Sequence, residues 1–207
     1  MAEIDNINLI LPSLNFKSSD DFYYLQILQR KKENEHIGSN SRVIKNYYIR
    51  SEQHLLDRYE EIKTLCRAFN ARASIRLNKR SFEKVAFKTL ENIANTMQNK
   101  GYESIRNCYD RACGTSASEK EKKWIVDIDK DEIIWMEQIH TALNSCAPYF
   151  SLTVLKGIPS KNGVHLITTP FNTLEFKDKL SQELATYKAS LINVEIHKDN
   201  PTNLFIP

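Results

Sequence analysis

The segment Trp124-Ile125-Val126-Asp127-Ile128-Asp129 constrains this chain more than any other, because apolar residues and carboxylates alternate through it with the two-residue period of a strand. In a strand, residues i and i+2 share a face, so Asp127 and Asp129 point together while Val126 and Ile128 serve an opposite, interior face. Two like charges held so close repel, and without a cation at least one carboxylate is driven toward its neutral form. A divalent metal is the natural partner for such a pair at a strand end. The plainer alternative is a solvated strand end whose acids face water before a helix at Asp131-Glu132. The rest of the chain bears on that choice.

With 207 residues and 41% hydrophobic content, the chain can bury one substantial core. The expected organisation is an N-terminal helical arm and linker over 1–42, followed by one catalytic-sized domain over 43–207. The 29 basic and 26 acidic residues leave a formal charge of +3, too balanced for a protein that coats polyanions, so affinity for nucleic acid has to come from a local patch. Cys66, Cys108, Cys113 and Cys146 show no C-x-x-C spacing and no companion histidine motif, which argues against zinc and for free thiols in a reducing compartment. No apolar run approaches the length that spans a bilayer, and no basic start leads into a signal-like apolar segment. The expectation is a soluble protein with no membrane partner, cytoplasmic, or in the host cytoplasm if viral.

Periodicity predicts a helix from Asp20 to about Lys32, a strand over 43–49, a helix over 51–69 and a strand over 73–77. A helix starting after Ser81 carries Phe82, Val85, Ala86, Leu90, Ile93 and Met97 on one face and stops at Gly101. A shorter helix over 103–112 and a polar loop over 114–123 lead into the Asp127/Asp129 strand. Beyond it a helix over 131–145, strands over 149–155 and 164–168, a helix over 173–187 and strands over 192–196 and 203–206 are expected. Asn162-Gly163 marks a hairpin turn between the first two of these strands. Interleaved helices and strands with hairpins indicate an α+β fold with a mixed, partly antiparallel sheet and flanking helices.

Three separate strands carry polar residues among apolar neighbours: Asp127 and Asp129, then His165 in Val164-His165-Leu166-Ile167, then Glu195 in Val194-Glu195-Ile196. Singly, His165 reads as a hydrogen-bonded core histidine and Glu195 as a surface-facing strand residue. In this order and spacing the chain resembles the archaeo-eukaryotic primase superfamily, marked by a D-x-D strand, a small-residue-x-His strand and a strand with one further acid. Ser74-Ile75-Arg76-Leu77-Asn78-Lys79-Arg80 is similar to the strand and N-P-R-like turn of its primase-polymerase members. The polar turn and last strand from His197 to Phe205 also fit. The resemblance covers residues from about 70 to 207. The third acid is Glu where Asp is commoner, and the sequence carries neither the zinc module of many primases nor a fused helicase.

The resemblance implies a primase-type catalytic core in which Asp127, Asp129 and Glu195 are catalytic and bind Mg²⁺ or Mn²⁺, hard cations suited to carboxylate oxygens. It implies nucleotide contacts from His165, with Lys161 and Asn162 in the preceding turn and Gly163 allowing close backbone approach. Arg76, Lys79 and Arg80 stand near a strand end as candidates for nucleic-acid phosphate contacts, against the alternative of a solvated basic turn. The function implied is metal-dependent nucleotidyl transfer from nucleoside triphosphates on a single-stranded nucleic-acid template. The N-terminal arm is expected to pack either on the domain, as a subdomain, or on a partner such as a replication protein. Two alternatives stay open: a catalytically weak module of the same fold that binds nucleotide or nucleic acid in a replication or phage complex, and a metal-dependent nuclease or phosphoesterase.

Overall fold

Residues Asp21–Gln29, expected to be helical, form a nine-residue strand, and their burial explains the difference. Phe22, Tyr23, Tyr24, Leu25 and Ile27 are all within 1% of complete burial, on both faces of the strand. An internal strand covered on both sides reads as a nearly continuous apolar run, and this run is rich in aromatic residues, which suit a pleated surface. The computed structural model describes residues 3–38, 40–118, 120–149, 153–187, 189, 192 and 194–207.

The chain folds as two compact units, Met1–Lys120 with Pro201–Pro207, and Glu121–Asn200. The first contains β1 (Ile4–Asp5), α1 (Ile7–Ile10), β2 (Asp21–Gln29), β3 (Arg42–Ile49), α2 (Glu52–Phe69), β4 (Arg72–Arg76), β5 (Arg80–Ser81), α3 (Phe82–Gln98) and α4 (Cys108–Thr115). The second contains β6 (Trp124–Asp129), α5 (Met136–Asn144), β7 (Val154–Ser160), β8 (Gly163–Thr168), α6 (Thr173–Thr186) and β9 (Glu195–His197). The chain then returns to the first unit as β10 (Pro201–Ile206). The α+β class is as expected. The expected mixed sheet is instead two sheets, and every described ladder is antiparallel.

In the first unit the strand order is β1-β10-β4-β2-β3, with β5 also pairing with β2. The boundary expected near residue 42 falls between β2 and β3, which pair along their length from Tyr23 opposite Ile49 to Gln29 opposite Arg42. Residues expected to form a helical arm thus supply an internal strand. Helix α2 lies against β2, β3, β4 and β10 and buries Leu55, Tyr59, Ile62 and Cys66. Ser51 caps its first turn by accepting from the His54 N–H, and Asn70, left-handed at φ 44°, ends it. On the other side Phe22 and Tyr24 pack with Val85, Ala112 and Cys113 of α3 and α4. Helix α3 buries Val85 and Thr96, whereas Leu90 and Met97 of the expected apolar face are exposed.

Asp21, at the start of β2, is tied to Lys79 by a buried ion pair of 2.8 Å and accepts from the backbone N–H of Lys17 and Ser18. Burial pushes its carboxyl up, but the Lys79 ammonium and the two N–H donors together outweigh this and hold it below the usual aspartate range. A depressed folded-state pKa adds stability that is fully present above the unfolded-state value of about 3.9 and is lost as pH falls through the folded value. Asp21→Asn is therefore expected to flatten the acid limb of a pH–stability profile below about pH 4, read by urea unfolding across pH. An unchanged acid limb contradicts this account.

In the second unit the order is β7-β8-β6-β9. Val126 and Ile128 of β6 and Leu166 of β8 pack with Ile139 and Leu143 of α5 and Phe176, Leu180 and Leu184 of α6. Strand alternation therefore works as expected at β6: the helices cover one face, and Ile125, Asp127 and Asp129 belong to the other. The hairpin between β7 and β8 turns on Lys161 and Asn162, with Ser160 opposite Gly163, so the turn lies one residue earlier than the Asn-Gly pair indicated. Strand β7 takes in Gly157, Ile158 and Pro159, beyond the end at 155 that was expected for it. The strands expected over 149–155 and 192–196 fall partly on 150–152 and 193, outside the described residues. Among the described residues no helix is long and apolar enough to cross a membrane.

Candidate functional site

The central strand β6 fixes the arrangement. Asp127 stands directly opposite His165 of β8 on one side and Glu195 of β9 on the other. Cross-strand partners share a face of the sheet, so His165, Asp127 and Glu195 form a row across three neighbouring strands. Asp129 lies one pleat further along β6, opposite Gly163. The same face carries Ile125 and Ile167, both buried, so the polar row borders an apolar floor.

Each of two carboxylates in the row has a histidine beside it. His165 Nε2 is 3.5 Å from Asp127 Oδ1, and His197 Nε2 is 3.3 Å from Glu195 Oε2. Like charges directly across a ladder repel, and Asp127 and Glu195 are such a pair. Positive charge is thus favoured at this face. The His165 side chain is 13% exposed and that of Asp127 34%, whereas Glu195 at 63% reaches into solvent.

The oxygen donors fit a hard divalent cation in kind. Among the described residues, however, no three His, Cys, Asp or Glu side chains are gathered as a metal cage. Asp127, Asp129 and Glu195 are the residues that would hold such a cation, and of these Asp129 and Glu195 are exposed.

Gly163 has a role in the strands themselves. A Cβ built on it would stand 1.9 Å from the Ile128 carbonyl oxygen, so the close approach it permits is that of β6 to β8. The turn is tied to the end of β6 by the Lys130 N–H, which donates to the Asn162 carbonyl at 2.6 Å. Lys161 and Asn162 therefore sit beside Asp129, at the end of the sheet where the carboxylate pair lies.

Arg76, Lys79 and Arg80 belong to the first unit. Lys79 is buried in its ion pair with Asp21. Arg80 is fully buried, and its guanidinium donates to the carbonyls of Cys113 (2.8 Å), Asn78 and Gly114 (3.5 Å). Both are structural cations, and the expectation that they present a nucleic-acid surface is corrected on that ground. Arg76 ends β4, opposite Pro201, and is half-buried.

Sequence reasoning missed His197. Its signal was the i, i+2 relation to Glu195, which places it on the same face of β9. No family model matches the chain, and neither the curated proteins nor the solved structures give a match to it.

Proposed function

We propose that this protein carries out metal-dependent nucleotidyl transfer from nucleoside triphosphates on a single-stranded nucleic-acid template, with the primase-like core as its catalytic unit. The observation that carries the reading is the cross-strand register, which sets Asp127 between His165 and Glu195 and puts Asp129 on the same strand face. In this reading Asp127, Asp129 and Glu195 hold Mg²⁺ or Mn²⁺, which when bound neutralises triphosphate oxygens and the charge that develops on the leaving group. His165, fixed beside Asp127, donates from an imidazole nitrogen to a phosphate oxygen. Lys161 and Asn162 supply phosphate contacts from the turn. The catalytic contribution of the chain is positioning and electrostatics.

A second reading, a module that binds nucleotide or nucleic acid without turnover, is favoured by one observation: the acids are not gathered into a cage among the described residues. Product analysis separates the two. With a primed single-stranded template, nucleoside triphosphates and Mn²⁺, nucleotidyl transfer predicts extended primer and released pyrophosphate, both lost in Asp127→Ala/Asp129→Ala. Binding without either product supports the second reading. Shortened nucleic acid that depends on the same acids indicates hydrolysis instead.

A further inference from the structure

The structure buries the basic turn that had been expected to meet nucleic acid and leaves a different basic surface exposed. Strand β3 is the last strand of its sheet and pairs, among the described residues, with β2 alone. Along its outer edge lies a cleft of about 390 Å³ whose lining includes Lys45, Arg50, His54, Arg58, Tyr48 and Phe82. Of its three permanent cations, Lys45 and Arg58 share the carboxylate of Glu61, and Asp57 is a second acid close enough to act on His54. The exposed Arg50 side chain makes no hydrogen bond or ion pair among the described residues. The backbone N–H of Arg50 donates to His54 Nδ1 at 3.3 Å, which leaves Nε2 as the protonated, donating nitrogen of a neutral ring. Burial first, then Arg50 and Arg58, hold this imidazole below its ordinary range against an opposing pull from Asp57.

We infer that this edge cleft binds the phosphodiester backbone of single-stranded nucleic acid. Arginine forks match phosphate oxygens two at a time, and Arg50 and Arg58 supply two of them. A single small anion would need only this cleft. The polar surface continues, however, through Lys45 and Asn46 into a neighbouring cleft of about 560 Å³ that reaches Arg111. The acid there, Asp110, is engaged by the hydroxyls of Tyr24 and Tyr48. A track that follows an extended strand suits a polymer of phosphates. Addition of a peptide strand to the same edge is disfavoured by its exposed Arg42, Lys45 and Arg50, the kind of charge that keeps sheet edges from pairing. The inference concerns residues of the first unit, none of which is among those named for nucleotidyl transfer.

The test is fluorescence anisotropy with a labelled oligothymidylate of about 12 nucleotides across a salt series. Three full-length proteins are compared: wild type, Arg50→Gln/Arg58→Gln, and Asp127→Ala/Asp129→Ala. Each lost phosphate contact lowers the slope of log affinity against log salt by about 0.7 for single strands, so the arginine variant should lose about 1.4 of slope and roughly tenfold in affinity. Loss of slope in the arginine variant is the expected result, whatever affinity the aspartate variant shows. No binding by wild type, or equal binding and slope in the arginine variant, overturns the inference, whatever the nucleotidyl-transfer assay gives. Loss confined to the aspartate variant also overturns it. Inorganic tripolyphosphate that competes as well as the oligonucleotide, phosphate for phosphate, overturns the assignment to a nucleic-acid backbone.

Discussion

Gly163→Ala is expected to destabilise the second unit by about 3 kcal/mol or more, an effect at the upper end for an added methyl group. The new Cβ would stand 1.9 Å from the Ile128 oxygen, 2.9 Å from the Ile128 carbonyl carbon and 3.0 Å from the Asp129 Cα. All three are backbone atoms of β6, so no side chain can turn away to relieve the clash. The strand must move, and with it the Asp127–His165 register that defines the candidate site. The measurement is favourable, because the chain's two tryptophans, Trp124 and Trp135, both lie in the second unit, and their fluorescence reports its unfolding in urea. A variant as stable as wild type would mean that β6 and β8 do not approach this closely.

Arg80→Met is expected to remove about 3 kcal/mol from the first unit. The last carbonyls of a helix have no partner within it, and those of Cys113 and Gly114 in α4 receive donors from the buried Arg80 guanidinium, as does Asn78. A cation is also favoured at the negative end of the helix dipole. Methionine fills a similar volume but leaves these oxygens unpaired. Arg80→Lys keeps the charge without the planar fork and should fall between the two. Near-ultraviolet circular dichroism of the tyrosines, most of which lie in the first unit, follows the transition. A neutral Arg80→Met result would contradict the capping role.

These two residues also show where the sequence was legible and where it was not. The strand carrying Asp127 and Asp129, its interior and exterior faces, and the helices over 52–69, 82–98 and 173–186 were all readable from local periodicity. The pairing of that strand with the His165 and Glu195 strands was inferred only through their order. The register itself depends on backbone hydrogen bonds between segments tens of residues apart. Lys79 and Arg80 misled because a basic turn is ordinarily solvated. Their partners, Asp21 and the end of α4, lie far away in the chain. The strand at Asp21–Gln29 misled for a related reason: an apolar run with scattered polar residues suits both a helix and a strand buried on both faces. Only its neighbours β3 and β4 settle which. Gly163 had been read as letting the backbone approach a nucleotide; what stands against it in the structure is β6.

The central claim is that the row across β8, β6 and β9 is a metal-dependent nucleotide site. Calorimetric titration of a nucleoside triphosphate into the protein with and without Mn²⁺, for wild type and Asp127→Ala/Asp129→Ala, tests it most directly. The account predicts binding by wild type that requires Mn²⁺ and is absent from the double variant. Equal heats in the two proteins, or no binding in either, would contradict it and leave the two aspartates as a solvated strand end.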